Sequence, residues 1–174
     1  AAGLDPVLPA GGTIVHLAGT LTGTAADFQR ETLQPTQALL ESASRVGCGR
    51  FVLVSSLGVC ATAELNSGRE VNEDCGIETQ PALRDLYTAT KVSQEHLTRE
   101  HAARTGLPLV VVRPGVIYGV GRSPLSSRLG LRWKNWIVQL AGDEPLPYVD
   151  VESCAEGIVR AAIQPGIEGE TFHL

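Results

Sequence analysis

A tyrosine and a lysine four residues apart, Tyr87 and Lys91, stand in the stretch Asp85-Leu86-Tyr87-Thr88-Ala89-Thr90-Lys91, which opens an expected helix. Residues at i and i+4 lie one above the other on a helix face, so the phenol and the ammonium can share one small site. A free tyrosine titrates near ~10, and an adjacent cation favours the phenolate and draws that value down. Tyr87 is therefore a candidate proton donor and acceptor. The spacing alone also fits a solvated helix face. Two hydroxyls, Ser55 and Ser56, follow the apolar run Phe51-Val52-Leu53-Val54. The carboxyl end of such a strand faces the crevice where open α/β sheets bind ligands, although serine also ends strands as plain turn chemistry. Beyond Gly121, Arg122, Arg128, Arg132 and Lys134 are interleaved with Trp133 and Trp136, the only two tryptophans. Arginine forks suit phosphate and an indole suits a ring, so these residues are candidates to grip an anionic substrate. A partly buried connector with solvated arginines fits them equally.

The elements that must position these groups can be read from periodicity. Thr13–Leu17, Phe51–Val54 and Leu107–Val112 are short apolar runs closed by turn signals, the pattern of buried parallel strands. His16 lies inside the first and reads as a core histidine. Apolar residues recur at threes and fours from Thr24 to Val46, stopped by Gly47, and Pro35 is expected to kink this helix or divide it in two. The Tyr87 helix runs to Gly106. Strand, helix, strand, helix, strand is a βαβαβ unit with right-handed crossovers, half of a doubly wound dinucleotide fold. Pro147-Tyr148-Val149 reads as a short strand, a helix capped by Asp150 or Ser153 runs to about Ile163, and Gly169–Leu174 reads as a final strand. Gly19-Thr20-Leu21-Thr22-Gly23 has only a Gly-x-x-x-Gly spacing and is a weak phosphate loop.

The 174 residues, 43% hydrophobic and 19% charged, suffice for one globular domain. A net charge of −5 argues against nucleic acid as the main partner. No apolar run reaches the ~20 residues of a membrane span, and no secretion signal is visible. Cys48, Cys60, Cys75 and Cys154 are scattered, with no metal-ligand spacing, and read as reduced thiols of a cytoplasmic protein. The chain opens on Ala1-Ala2-Gly3 and contains no Met, as expected of a fragment.

Together, these pieces resemble the extended short-chain dehydrogenase/reductase family, in its NAD-dependent epimerase/dehydratase branch. The resemblance is carried by Val15-His16-Leu17-Ala18-Gly19, Arg50-Phe51-Val52-Leu53-Val54-Ser55-Ser56, Tyr87-Thr88-Ala89-Thr90-Lys91, Arg113-Pro114-Gly115-Val116-Ile117-Tyr118-Gly119 and Tyr148-Val149-Asp150-Val151. They fall in family order at family spacings and cover nearly the whole chain. The resemblance implies a Rossmann-like doubly wound parallel sheet with part of a smaller substrate-binding lobe. It places a partial NAD(P)-binding domain over residues 1–119, a lobe segment over 120–150, and a helix and strand beside that lobe over 151–174. It makes Tyr87 the acid/base, Lys91 the residue that contacts the nicotinamide ribose and depresses the tyrosine, and Ser56 the serine that orients substrate. Ser56 is preferred to Ser55 because Cys60 occupies the position of a family tyrosine four residues further on. Ala18, Gly19, Ser55 and Pro114 match residues lining NAD or NADP. The implied reaction is hydride transfer at a hydroxyl or keto carbon, with a nucleotide sugar as the expected substrate. A homodimer through the helices around Ala25–Val46 and Asp85–Arg104 is also implied.

Departures narrow this expectation. Thr32 stands for the family's usual Asn in the helix, and Val116 for an Asn often found after Arg-Pro-x. Ser56-Leu57-Gly58 lacks the Thr-Asp-Glu of 4,6-dehydratases, which disfavours that branch. The glycine-rich phosphate loop, and the acidic residue that reads the adenosine ribose, are expected before Ala1, against the otherwise uncovered edge of the first strand. The lobe is expected to extend past Leu174. NAD and NADP therefore both remain open. A ketone or aldehyde reductase of the same family, and a non-catalytic dinucleotide sensor, are the alternative readings.

Overall fold

The structure is a computed structural model that describes residues 4–62, 70–120, 130–133, 136–139 and 146–174, with the backbone alone described for 130–133 and 136–139. Its centre is a four-stranded parallel sheet of β1 (Thr13–His16), β2 (Arg50–Val54), β3 (Leu109–Arg113) and β8 (Thr171–His173), in that spatial order. Register is fixed by pairs such as Val15 with Val52, Val52 with Val110 and Val112 with Phe172. Alternate side chains of each strand enter different cores, as a period of two requires. Phe51, Leu53, Leu109 and Val111 pack with Leu40, Ala43 and Leu97 beneath α2 (Gln34–Val46) and α3 (Leu86–Thr105). Val52, Val110 and Val112 pack on the opposite face with Cys154, Ile158 and Ala161 of α4 (Val151–Ile163). Helices on both faces explain why these strands are continuous apolar runs rather than alternating ones. The expected doubly wound arrangement is thus present over the described residues.

The run around Pro35 is divided, as expected, with a π segment between two α-helices. After α1 (Ala25–Phe28), capped reciprocally by Thr24 and Asp27, the backbone widens into a π turn over Gln29–Leu33 and re-enters α geometry at Gln34. Pro35 then sits in the first turn of α2, where a missing N–H costs little. Helix α2 ends at Gly47 in the left-handed region (φ 69°), and α3 ends likewise at Gly106 (φ 73°).

Two small sheets lie outside the main one. Strand β4 (Val116–Tyr118) pairs in parallel with β7 (Tyr148–Asp150), and β5 (Gly130–Trp133) forms an antiparallel hairpin with β6 (Trp136–Gln139). The sequence reading anticipated β7 but not the other three. Arg122, Arg128 and Lys134 lie outside the described residues, and Arg132, Trp133 and Trp136 fall on strands described by their backbone alone.

Candidate active site

The carboxyl ends of β1, β2 and β3 open into a cleft of about 190 Å³. Leu17, Gly19, Thr20 and Leu21 line it beyond β1, Val54, Ser55 and Ser56 beyond β2, and Pro114 and Gly115 beyond β3. Tyr87 and Lys91 enter from α3, and Ile117 closes one side. Ser56, distant in sequence from the Tyr87–Lys91 pair, therefore shares one cleft with that pair and with Gly19, Ser55 and Pro114. Ala18 does not line it; this residue is exposed on the turn after β1.

Helix α3 holds its two site residues through a fixed start. Asp85 is its N-cap, accepting hydrogen bonds from the Thr88 N–H at 2.9 Å and the Thr88 hydroxyl at 2.8 Å. That ties down the turn that carries Tyr87. Ser56 caps the short turn Leu57–Val59 by accepting the Gly58 N–H at 3.1 Å, which orients its hydroxyl at the cleft wall. The loop after β1 is braced from behind, because the Thr20 N–H donates to the Thr32 hydroxyl at 3.0 Å. Thr32, which stands for a family Asn, thus supports the cleft wall.

Lys91 is only 6% exposed. Its ammonium donates to the Val54 carbonyl at 2.9 Å and to Gln94 Oε1 at 2.5 Å. Burial pushes its pKa down to about 8, with the Glu95 carboxylate pulling the other way. The cation survives at neutral pH because these oxygens and Glu95 offset part of the lost solvation.

Glu95 is fully buried and pairs with Arg113 of β3 at 2.7 Å, with Arg99 at 2.8 Å on its other side. Burial is the largest single influence and opposes its charge, but Arg113, Ser55 and Arg99 together outweigh it, and the carboxyl is held below its ordinary value. The neighbouring Ser55 hydroxyl favours the same ionised form, although Ser55 Oγ makes no well-formed hydrogen bond. Arg113 also approaches Cys60 Sγ at 3.7 Å. Burial nevertheless raises the Cys60 thiol to about 11, so it is no nucleophile. All four cysteines are free. No group of acidic, His or Cys side chains able to hold a metal occurs among the described residues, nor any helix long and apolar enough to cross a membrane.

Sequence reading missed Gln94. Its position three residues after Lys91 was the available signal, because i and i+3 share a helix face.

Such a sheet, with its crevice at the carboxyl ends of parallel strands, defines the doubly wound dinucleotide-binding class. Residues 6–173 match the NAD dependent epimerase/dehydratase family, and the chain belongs to it. It superposes on UDP-glucuronic acid 4-epimerase from Bacillus cereus, solved in complex with NAD, with a TM-score of 0.72 and 22% identity over 98% of this chain and 56% of that one. MoeE5, solved in complex with UDP-glucose and NAD, gives 0.73 and 22% over 94% of this chain and 56% of the other. The dTDP-glucose 4,6-dehydratase DesIV of Streptomyces venezuelae, solved with NAD and TYD bound, gives 0.72 and 25% over 99% and 55%. The chain thus spans about half the length of these solved structures. The uncharacterized protein y4nG of Sinorhizobium fredii is 30% identical over 87 residues, which is 50% of this chain and 20% of that protein.

Proposed function

We propose that this chain carries the catalytic part of an NAD(P)-dependent oxidoreductase or epimerase acting on a hydroxyl or keto carbon of a nucleotide sugar. The observation that carries the reading is the convergence of Ser56, Tyr87 and Lys91 on one cleft at the strand ends. The cleft suits a nicotinamide nucleotide, NAD or NADP, because a buried cation, a backbone-lined turn at Gly19 and the ring of Pro114 face the same space. Gly19, Ser55, Lys91 and Pro114 would line it, with Ala18 on the exposed turn beside them. When bound, the cofactor supplies the hydride acceptor or donor.

Ser56 donates to the substrate oxygen and fixes its orientation. Tyr87 takes the hydroxyl proton from that oxygen as the carbonyl forms, and returns it in the reverse direction. Lys91 would contact the nicotinamide ribose and hold it in the cleft beside Tyr87. Arg122, Arg128, Arg132 and Trp133 are proposed to grip the substrate's anionic part. The proposal extends to a cytoplasmic homodimer built through the outer faces of α2 and α3, which sedimentation of the full-length protein would show as twice the chain mass.

Replacing Tyr87 by Phe tests the chemistry. Turnover should fall by about 10²–10⁴-fold, with cofactor affinity retained. Undiminished turnover in Tyr87→Phe would withdraw the assignment, and cofactor binding without turnover in the wild type would indicate a dinucleotide sensor. A second reading, reduction of a less polar ketone or aldehyde, is favoured by the apolar Leu17, Leu21 and Ile117 on the cleft wall. Competition of nucleotide sugars against apolar carbonyl compounds separates the two.

A further inference from the structure

Behind the cleft, a hydrogen-bonded ladder runs from Lys91 into the core between α2, α3 and β1, and none of its inner members touches the cleft. An ammonium has only donors to offer, so the Gln94 atom facing Lys91 must be the amide oxygen, here at 2.5 Å. That turns the amide nitrogen toward the Thr36 hydroxyl, 2.8 Å away. Thr36 Oγ1 lies 2.6 Å from the Thr32 carbonyl, a separation that needs a proton between the two oxygens. Thr36 has then given its one proton, so the remaining 2.8 Å contact, to His16 Nε2, requires the histidine to donate. The tautomer is thereby assigned from the network. Burial and the Lys91 charge lower His16 to about 4, which keeps it a neutral donor. Gln94 and Thr36 have no solvent exposure, and His16 is 5% exposed.

We infer that Gln94 is the positioning residue of Lys91, its amide oxygen locked by Thr36 and His16 so that the ammonium is held with one N–H left for a ligand in the cleft. Lys91 has three N–H bonds. Val54 and Gln94 take two of them from the inner side, so the lysine enters the cleft already oriented. Neither of the other ionisable groups near it can do this: Glu95 is engaged by Arg113 and Arg99, and His16 is neutral and gives its Nε2 proton to Thr36. The consequence for turnover rests on the role proposed for Lys91 above; the positioning itself does not.

The test is the titration of the Lys91 side chain in the full chain, followed by NMR of the lysine ε position and assigned by its loss in Lys91→Arg. In Gln94→Glu, nearly isosteric, a carboxylate at this distance should move the midpoint up by about 1–3 units. In Gln94→Leu the buried cation loses an acceptor, and the midpoint should fall. Thr36→Val, which frees the amide to turn, should shift it in the direction of Gln94→Leu by a smaller amount. NAD affinity should fall about tenfold in Gln94→Leu and recover in Gln94→Glu, a rescue that loss of packing would not give. Lys91 midpoints equal to wild type in both Gln94 variants would overturn the inference. Shifted midpoints in a protein that turns over no substrate would remove the proposed activity and leave the positioning role standing.

Discussion

His16 shows how a core histidine of β1 becomes a pH liability. In the unfolded chain it takes up a proton near its ordinary value of 6.5; in the fold, burial and the Lys91 charge delay that until about 4. Between those values the unfolded state binds one more proton than the folded one. Stability is therefore intact above 6.5, falls as pH drops through the window, and has lost on the order of 3 kcal/mol below 4. His16→Gln keeps a donor near the Nε2 position and does not titrate. Its unfolding free energy, followed by urea denaturation from pH 7.5 to 4, should fall less steeply than that of wild type; parallel curves would mean that His16 is not the group responsible. Legibility at this scale was uneven. Ser55, Ser56, Tyr87 and Lys91 could be singled out by type and spacing, because hydroxyls after an apolar strand and a Tyr-x-x-x-Lys pair are visible without a fold, while the preference for Ser56 over Ser55 came from the family resemblance. Gln94 was missed despite its place three residues after Lys91, since an amide mid-helix reads as solvated until Thr36 and His16, 58 and 78 residues away in sequence, are brought against it.

Helix α3 is the element on which the site depends, and its buried side is an unusual one. Thr88, Lys91, Gln94, Glu95 and Thr98 are buried at the spacing normally occupied by an apolar stripe. Each hydrogen-bonds: Thr98 to the Gln94 carbonyl at 2.8 Å, Glu95 to two arginines, Gln94 to Lys91 and Thr36. A reading that follows only apolar periodicity finds the helix from Val92, Leu97 and Ala103 and misses what its inner face is for. Strands β2 and β3 were legible because both faces of each are buried. Strands β4, β5 and β6 were not: β4 follows directly on the turn signal Pro114-Gly115 that closes β3, and β5 and β6 lie in a stretch interleaved with Arg132 and Lys134. Two substitutions test these elements. Asp85→Ala removes the cap and should cost about 1 kcal/mol of stability, with a larger effect on turnover than on global unfolding because the first turn carries Tyr87; equal effects on both would argue against local fraying. At Gly115, a Cβ would collide with the Pro147 carbonyl, which accepts the Val116 N–H and opens the β4–β7 ladder. Gly115→Ala should therefore destabilise by about 1–3 kcal/mol, read as a lowered urea midpoint, and an unchanged midpoint would show that the ladder can shift to make room.

At the scale of the molecule, the sheet and its two cores distribute stability unevenly. Phe51, Val52 and Leu53 of β2 and Val110, Val111 and Val112 of β3 have no solvent exposure, and each strand is paired on both sides. Strand β1 is one of the two edges of the sheet among the described residues, with Thr13 exposed and Ile14 and Val15 half-buried. Its inner end is the exception, because His16 is tied to Thr36 of α2. Opening β1 up to Val15 therefore exposes little apolar surface, whereas opening β2 or β3 uncovers both cores at once. Local opening should follow that order. In native-state hydrogen exchange on this 174-residue chain, the amides of Phe51–Leu53 and Val110–Val112 should exchange only through global unfolding, with an opening free energy equal to that from urea denaturation. Those of Ile14 and Val15 should open at a cost lower by about 2 kcal/mol or more. The site straddles this gradient, since Ser56 and Pro114 hang from the rigid strands and Gly19 from the looser one. Ligand in the cleft joins all three strand ends, so it should raise protection at Ile14 and Val15 more than at β2 and β3, whose amides rise only by the binding free energy. Uniform protection across β1, β2 and β3 without ligand would show that the outer strand is held as firmly as the centre, and the gradient would have to be abandoned.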